Sequence, residues 1–162
     1  MQVVNYSKSL SEERFLEIYQ SLEQKGFGPL DGEVAQALKF RPQAIRKLPM
    51  QQRARRAKSL LERGGLAELC YELFGAYLMK NAKQLVLDFL DKTGVKHEEG
   101  MVEDLDSNLP DADKIEGVIA ELDKTYDPRD VSMYLSICAE QWPQSEPLQR
   151  LFEERVAASD AR

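Results

Sequence analysis

Residues 66–93 read LAELCYELFGAYLMKNAKQLVLDFLDKT, and the rest of the chain is organised around them. In the first half, Leu66, Leu69, Cys70, Leu73, Phe74, Tyr77 and Leu78 recur at i, i+3 and i+4 spacing. That period gathers them on one stripe of an α-helix, with Glu68 and Glu72 on the far side. In the second half, Ala82, Leu85, Val86, Leu87, Phe89 and Leu90 point nearly all round a helical wheel. A helix that is apolar all round has to be covered on several sides, so this pair marks the centre of a core. Asn81 predicts a break between the halves, because its side chain competes for backbone hydrogen bonds. Gly75 costs about 1 kcal/mol against alanine in a helix interior. Its place there predicts a neighbouring backbone passing close by.

The flanks read as further helices. Ser9 and Glu12 have the spacing of a capping box before Phe15, Ile18, Tyr19 and Leu22, with at most Gln2-Val3-Val4 extended ahead of them. Gly26 closes that helix in the turn GFGPLDG, and Asp31 caps a short helix carrying Val34, Ala35, Leu38 and Phe40. Pro42 and Pro49 bound a helix of at most two turns. Pro49 then takes the first position of the next helix, which Gly64-Gly65 ends. Beyond Gly94 the stretch VKHEEGMVEDLDSNLPD has no clean period, at most a turn around Met101, Val102 and Leu105. Loops of that length inside a domain are either functional or conceal an element. Asp113 and Glu116 cap a helix carrying Ile115, Val118, Ile119 and Leu122. Asp127-Pro128 opens one with Val131, Tyr134, Leu135, Cys138 and Trp142 inward, and Ser145 caps the last. No segment alternates with period two, so the expected fold class is all-α, about seven or eight helices around the central pair. At 162 residues the expectation is a single compact helical domain over 1–162. It has a possible N-terminal subregion 1–63 and a main bundle 66–158.

Composition narrows the class. The chain is 43% hydrophobic and 31% charged, which excludes an intrinsically disordered protein. No apolar run reaches the ~18 residues that span a bilayer, and the first residues lack the basic-then-apolar order of a secretory signal. Cys70 and Cys138 stand far apart on apolar faces and outside any CxxC pair, which reads as two buried reduced thiols. These features resemble a bacterial-style cytoplasmic protein, and no motif attaches the chain to a named family.

Charge is the most informative feature. Between residues 39 and 63 stand nine basic residues against Glu62 alone, a balance of +8. The other 137 residues hold 13 basic against 27 acidic, a balance of −14. On the helix from Pro49, Met50, Ala54, Ala57, Leu60 and Leu61 share one face and the cations spread over the rest. The expected binding residues for an anionic partner are Arg46, Lys47, Arg53, Arg55, Arg56 and Lys58. The partner expected is an acidic protein surface. Nucleic acid is the alternative for the same segment, disfavoured because no aromatics are interleaved for base stacking.

Other chemistry finds less support. Asp104, Asp106 and Asn108 have the first three spacings of a calcium loop, but Leu109 stands where glycine is needed and Ile115 where a bidentate glutamate is needed. His97, the only histidine, excludes sites with two histidine ligands. Beside Glu98 and Glu99 it has the makings of a general base for a small enzyme or a metal site, yet no nucleophile motif accompanies it, and it reads as a surface residue. The expectation is a non-enzymatic interaction or regulatory protein without cofactor or metal. An apolar strip of Tyr71, Leu78 and Leu87 is the candidate for self-pairing, with a monomer favoured over a homodimer.

Overall fold

A computed structural model of the chain describes residues 2–24, 32, 35–36, 41–63 and 66–160, with every side chain but those of Pro42 and Asp160. The fold is all-α: among the described residues there are nine helices and no strand. They are α1 (Gln2–Ser9), α2 (Glu12–Gln24), α3 (Pro42–Arg46), α4 (Met50–Glu62) and α5 (Ala67–Asn81), then α6 (Lys83–Lys92), α7 (Ala112–Thr125), α8 (Pro128–Gln141) and α9 (Glu146–Asp160). The turn at Gly26, the cap at Asp31, the side chains of Val34, Leu38 and Phe40, and the Gly64-Gly65 stop lie outside the described residues. Ala35 is helical and buried.

The first helix departs from expectation. Gln2-Val3-Val4 is not extended but opens α1, whose Val3, Val4 and Tyr6 are buried. An eight-residue helix with two β-branched residues has little stability alone, so its burial is what holds it. The capping box is corrected too. Ser9 ends α1, its hydroxyl donating to the Tyr6 carbonyl at 2.7 Å. Ser11 caps α2 instead, its Oγ accepting the Arg14 N–H at 3.1 Å. Further along, Pro42 stands in the first turn of α3, while Pro49 is the residue before α4 rather than its first. Asp111, not Asp113, caps α7 by accepting the Asp113 N–H at 3.1 Å. Asp127 caps α8 through the Arg129 N–H at 2.9 Å, with Pro128 following, as the sequence leads one to expect.

The stretch 66–93 is two helices, and the break falls beside Asn81, at Ala82, whose φ of −141° and ψ of 37° leave the helical region. Gly75 has a different explanation from the expected one. A Cβ built on it meets nothing within 4 Å, so no backbone passes there.

The chain forms two compact units, residues 3–77 and 78–162, with Gln2 grouped with the second. In the first, α2 packs along α4. Its core holds Phe15, Ile18, Leu22, Ala57, Leu61, Leu73 and Phe74, with Tyr6 set edge-on to Phe74 at 5.4 Å between ring centroids. In the second, α6 packs on α7, α7 on α8, and α9 on both α7 and α8. The short connection between α7 and α8 brings consecutive apolar stripes together. Phe89, Ile115, Leu122, Leu135, Leu148 and Phe152 fill this core, and Phe89 meets Tyr134 edge-on at 5.4 Å. Trp142 is fully buried and donates its indole N–H to the Asn108 carbonyl at 3.2 Å.

Both cysteines are free and buried. Burial pushes the Cys70 thiol up to about 11, partly offset by the neighbouring Ser7 hydroxyl, and complete burial raises Cys138 as well. The strip suspected of self-pairing is interrupted: Leu78 is 1% exposed, and Tyr71 and Leu87 are half-buried. No helix among the described residues is long and apolar enough to cross a membrane.

Two outcomes follow from these contacts. Replacing Gly75 with alanine adds a methyl into open space and removes unfolded-chain freedom, so it raises stability by about 0.5–1 kcal/mol, or roughly 2–4 °C per kcal/mol in a thermal melt. A lowered melting temperature would mean that the methyl meets a neighbour. The second concerns Tyr126, whose hydroxyl donates to Asp88 Oδ2 while Gln84 donates to Oδ1 at 2.8 Å. The Tyr126 bond, then Gln84, holds the Asp88 carboxyl below its usual value of 3.8, and Asp88 pushes Tyr126 up to about 12 from 10.0. A lowered carboxylate value gives stability above pH 3.8 that is lost as the pH falls through the folded value. A raised tyrosine value gives stability below pH 10.0 that is lost as the pH rises through about 12. Tyr126→Phe therefore lowers stability by about 1 kcal/mol, discounted for partial exposure, across pH 5–9. Urea titrations should show that difference from wild type narrowing below pH 3.8.

Candidate functional site

The six expected binding residues are not one surface. On α4, Arg53, Ala54, Ala57 and Leu61 are the buried residues, a row at i, i+1, i+4 and i+8. Arg53 thus shares the apolar face, at 6% exposure. Its guanidinium lies 5.6 Å from the centroid of the Tyr19 ring and pairs with Glu23 of α2. An arginine can do this because its planar, weakly hydrated head stacks on an aromatic face while its edge meets a carboxylate. Lys58 is similar in kind: its side chain is 12% exposed and pairs with Glu62 one turn on. These two charges are taken up within the first unit and are not presented to a partner.

The other four are exposed. Arg46 and Lys47 stand at the C-terminal end of α3, where cations meet the negative end of the helix dipole. Arg55 is exposed and pairs with Glu12 at 3.3 Å, a solvated bridge of the kind worth about 0–1 kcal/mol. Arg56 is exposed on α4, and so are Arg63 just past it and Arg41 just before α3. Arg41, Arg46, Lys47, Arg56 and Arg63 make no ion pair with any described residue. The row Met50–Arg53–Ala57–Leu61 was the available signal that Arg53 turns inward; cation counting alone misses it.

Charge is divided along the chain. Up to Tyr77 the sequence has 12 basic and 9 acidic residues; from Leu78 on it has 10 basic and 19 acidic. The cations of α3 and α4 without a described counter-charge therefore belong to a unit of net +3, and the second unit is at −9.

The loop between α6 and α7 is the other feature, and it is built rather than slack. Asn108 clamps Lys96 from both directions: its Oδ1 accepts the Lys96 N–H at 3.0 Å, and its Nδ2 donates to the Lys96 carbonyl at 2.7 Å. Glu98 and Met101 exchange backbone hydrogen bonds at 2.9 Å around a tight turn in which Glu99 (φ 53°) and Gly100 (φ 89°) are left-handed. The loop also encloses an open groove of about 830 Å³.

His97 is not a surface histidine; its side chain is 13% exposed. Nδ1 accepts the Gly100 N–H at 3.1 Å, so the ring proton sits on Nε2 and is donated to Asp91 Oδ1 at 2.7 Å. Both nitrogens serve the loop, which leaves neither to take a proton from a substrate. Asn108 is spent on Lys96, and Asp104 accepts from the Ser107 hydroxyl, so two members of the calcium-like spacing are engaged in the loop's own bonds. Among the described residues no group of three potential metal ligands gathers.

No protein-family model matches this chain, and neither does any curated protein or solved structure. The functional reading therefore rests on the geometry.

The two classes of cation differ in what their removal does. Arg53→Gln strips the partner from Glu23 and the stacked head from Tyr19, and lowers stability by about 2 kcal/mol, between an exposed pair and a fully buried one. Arg56→Gln changes it by less than about 0.5 kcal/mol. Urea denaturation of both variants checks this, and equal losses would contradict the division into internal and outward cations.

Proposed function

We propose that this protein is a non-enzymatic interaction module that docks an acidic protein surface through the outward cations of α3 and α4. Arg46, Lys47, Arg55 and Arg56 carry the contact, with Arg41 and Arg63 beside them. The observation that supports this most is the division among the cations: Arg53 and Lys58 are used up inside the first unit, whereas Arg46, Lys47 and Arg56 face solvent without a described counter-charge. Guanidinium groups in that state favour planar carboxylates, which they can bind in bidentate fashion. Such charges act mainly by steering encounter and fixing orientation, so the association is salt-sensitive.

Nucleic acid is the runner-up and would use the same groups on phosphates. It is the weaker reading because no large aromatic side chain is exposed among the described residues to stack on a base. The enzymatic reading loses its candidate base, since His97 has both nitrogens committed.

Affinity capture from lysate with wild type and with Arg46/Lys47/Arg56→Glu, at low and high salt, tests the proposal. The expected result is an acidic protein that wild type retains at low salt and the variant does not. The same proteins held equally by both would overturn it. A mobility shift of duplex DNA by wild type, with affinity falling by about 0.9 log unit per phosphate contact for each log unit of salt, would transfer the site to nucleic acid.

A further inference from the structure

The proposed function leaves the loop between α6 and α7 unused, and that loop carries a second kind of surface. Met101 is 70% exposed and Leu109 is 42% exposed, and they are the exposed large apolar side chains among the described residues. Both stand on this one loop, separated by eight positions. Met101 lines the 830 Å³ groove, together with Glu98, Glu99, Glu103 and Asp104. A volume of this size lies in the range of ligand-binding clefts, about 300–1,000 Å³.

The charge around it is mostly negative, although Lys96 also lines the groove. Residues 94–111 hold six carboxylates, Glu98, Glu99, Glu103, Asp104, Asp106 and Asp111, against Lys96. Two have cationic neighbours from outside the loop. Lys83 of α6 pairs with Glu99 at 2.5 Å and holds its carboxyl below the usual range, and Lys114 of α7 stands 3.9 Å from Asp111. Glu98, Glu103 and Asp106 make no ion pair with a described residue. An anionic partner such as nucleic acid is repelled here.

The loop is also held in advance of any partner. The Asn108 clamp, the Trp142 bond to the Asn108 carbonyl, the Asp111 N–H donated to the Thr93 carbonyl at 2.9 Å, and the His97 bridge from Asp91 to Gly100 each fix part of it. Glu99 and Asp104 are both non-glycine residues at φ 53°, a strained conformation that the surrounding bonds must impose. Gly100 rests on Met79, where an added Cβ would stand 3.2 Å from the methionine methyl. A surface fixed this way loses little conformational freedom on binding, which is the usual source of affinity in a pre-organised site.

We infer that this groove docks a basic segment of a partner protein, a stretch of Lys and Arg with one apolar anchor seated against Met101. The carboxylates supply the charge complement, and the exposed thioether supplies an adaptable apolar contact of the kind found on peptide-binding surfaces. A bare cation would need the carboxylates alone and would leave Met101 without a role. The inference does not rest on the proposed function, which uses other residues and a partner of opposite charge.

Fluorescence anisotropy with the full chain tests it, using two short labelled peptides of Lys and Arg, one with a central Leu and one with Ser in its place. At physiological salt the Leu peptide should bind the wild type about tenfold more tightly, the effect of seating one aliphatic side chain. Met101→Ser should abolish that preference and leave the Ser peptide unaffected. Glu98→Gln, Glu103→Gln and Asp104→Asn together should weaken both peptides. Glu153→Gln with Glu154→Gln, on the exposed face of α9, should weaken neither. Equal affinity for the two peptides, no binding of either, or an equal loss in the α9 variant would overturn the inference, the last by revealing diffuse attraction to an acidic protein. A dimer in sedimentation that Met101→Ser dissociates would also overturn it, by assigning the surface to a second copy of this chain.

Discussion

The buried apolar stripes of α5 and α6 are the constraint from which the rest of the structure follows; α6, expected to be apolar all round, buries only the face of Leu85, Val86, Phe89 and Leu90. Glu68, Glu72, Lys83, Gln84, Asp91 and Lys92 of these helices are exposed, and water on the buried stripes opposite them would leave the chain molten. Cys70, Leu73 and Phe74 are buried in the first unit, and Leu78, Leu85, Phe89 and Leu90 in the second. In the second unit α7 packs on α6, and α8 and α9 pack on α7. Even α1, too short and too β-branched to persist alone, is held by placing Val3 and Tyr6 in the first unit's core. The boundary between the units falls inside α5, so one helix serves two cores with different parts of its length.

Charge is arranged as a consequence of the same packing. A helix that lies along α2 with Ala54, Ala57 and Leu61 inward has to do something with the arginine in that row. Burying a guanidinium unpaired is prohibitive, and the chain answers with the Tyr19 face and the Glu23 carboxylate. Arg14 is treated alike, 5.4 Å from the Tyr77 centroid and paired with Glu17. Arginines that meet a tyrosine face and a carboxylate from their own unit become part of the core. Those beyond the reach of both, Arg46 and Arg56 among them, remain as field at the surface. The second group is smaller than the sequence count of cations implies.

The segment between α6 and α7 illustrates order without regular structure. Side-chain amide, imidazole and indole groups supply the hydrogen bonds that a helix would have supplied by its own backbone. The histidine that looks like a catalytic candidate is instead a bracket, with its tautomer set by the Gly100 amide. Asp104 and Glu99 take part in the loop's bonds, while the side chains of Glu98, Glu103 and Met101 stand exposed at its outer edge.

The sequence by itself determined the all-α class, eight of the helices in approximate extent, the break beside Asn81, the Asp127-Pro128 start of α8 and the inward stripes of α7 and α8. These are legible because they depend on period, proline and capping chemistry within a few residues of one another. Tertiary structure alone decided that Gln2-Val3-Val4 is helical, that Ser11 and Asp111 cap where Ser9 and Asp113 were expected, and that Gly75 faces open space. Several neighbouring side chains were competent for each cap, and the direction of chain entry, set by packing, selected one. The candidate site divides the same way. A run of cations is visible in the sequence, but whether a given cation is core or surface depends on which aromatic and carboxylate arrive opposite it from another helix. Tyr19 and Glu23 are about thirty residues away from Arg53, and only the fold makes them its neighbours.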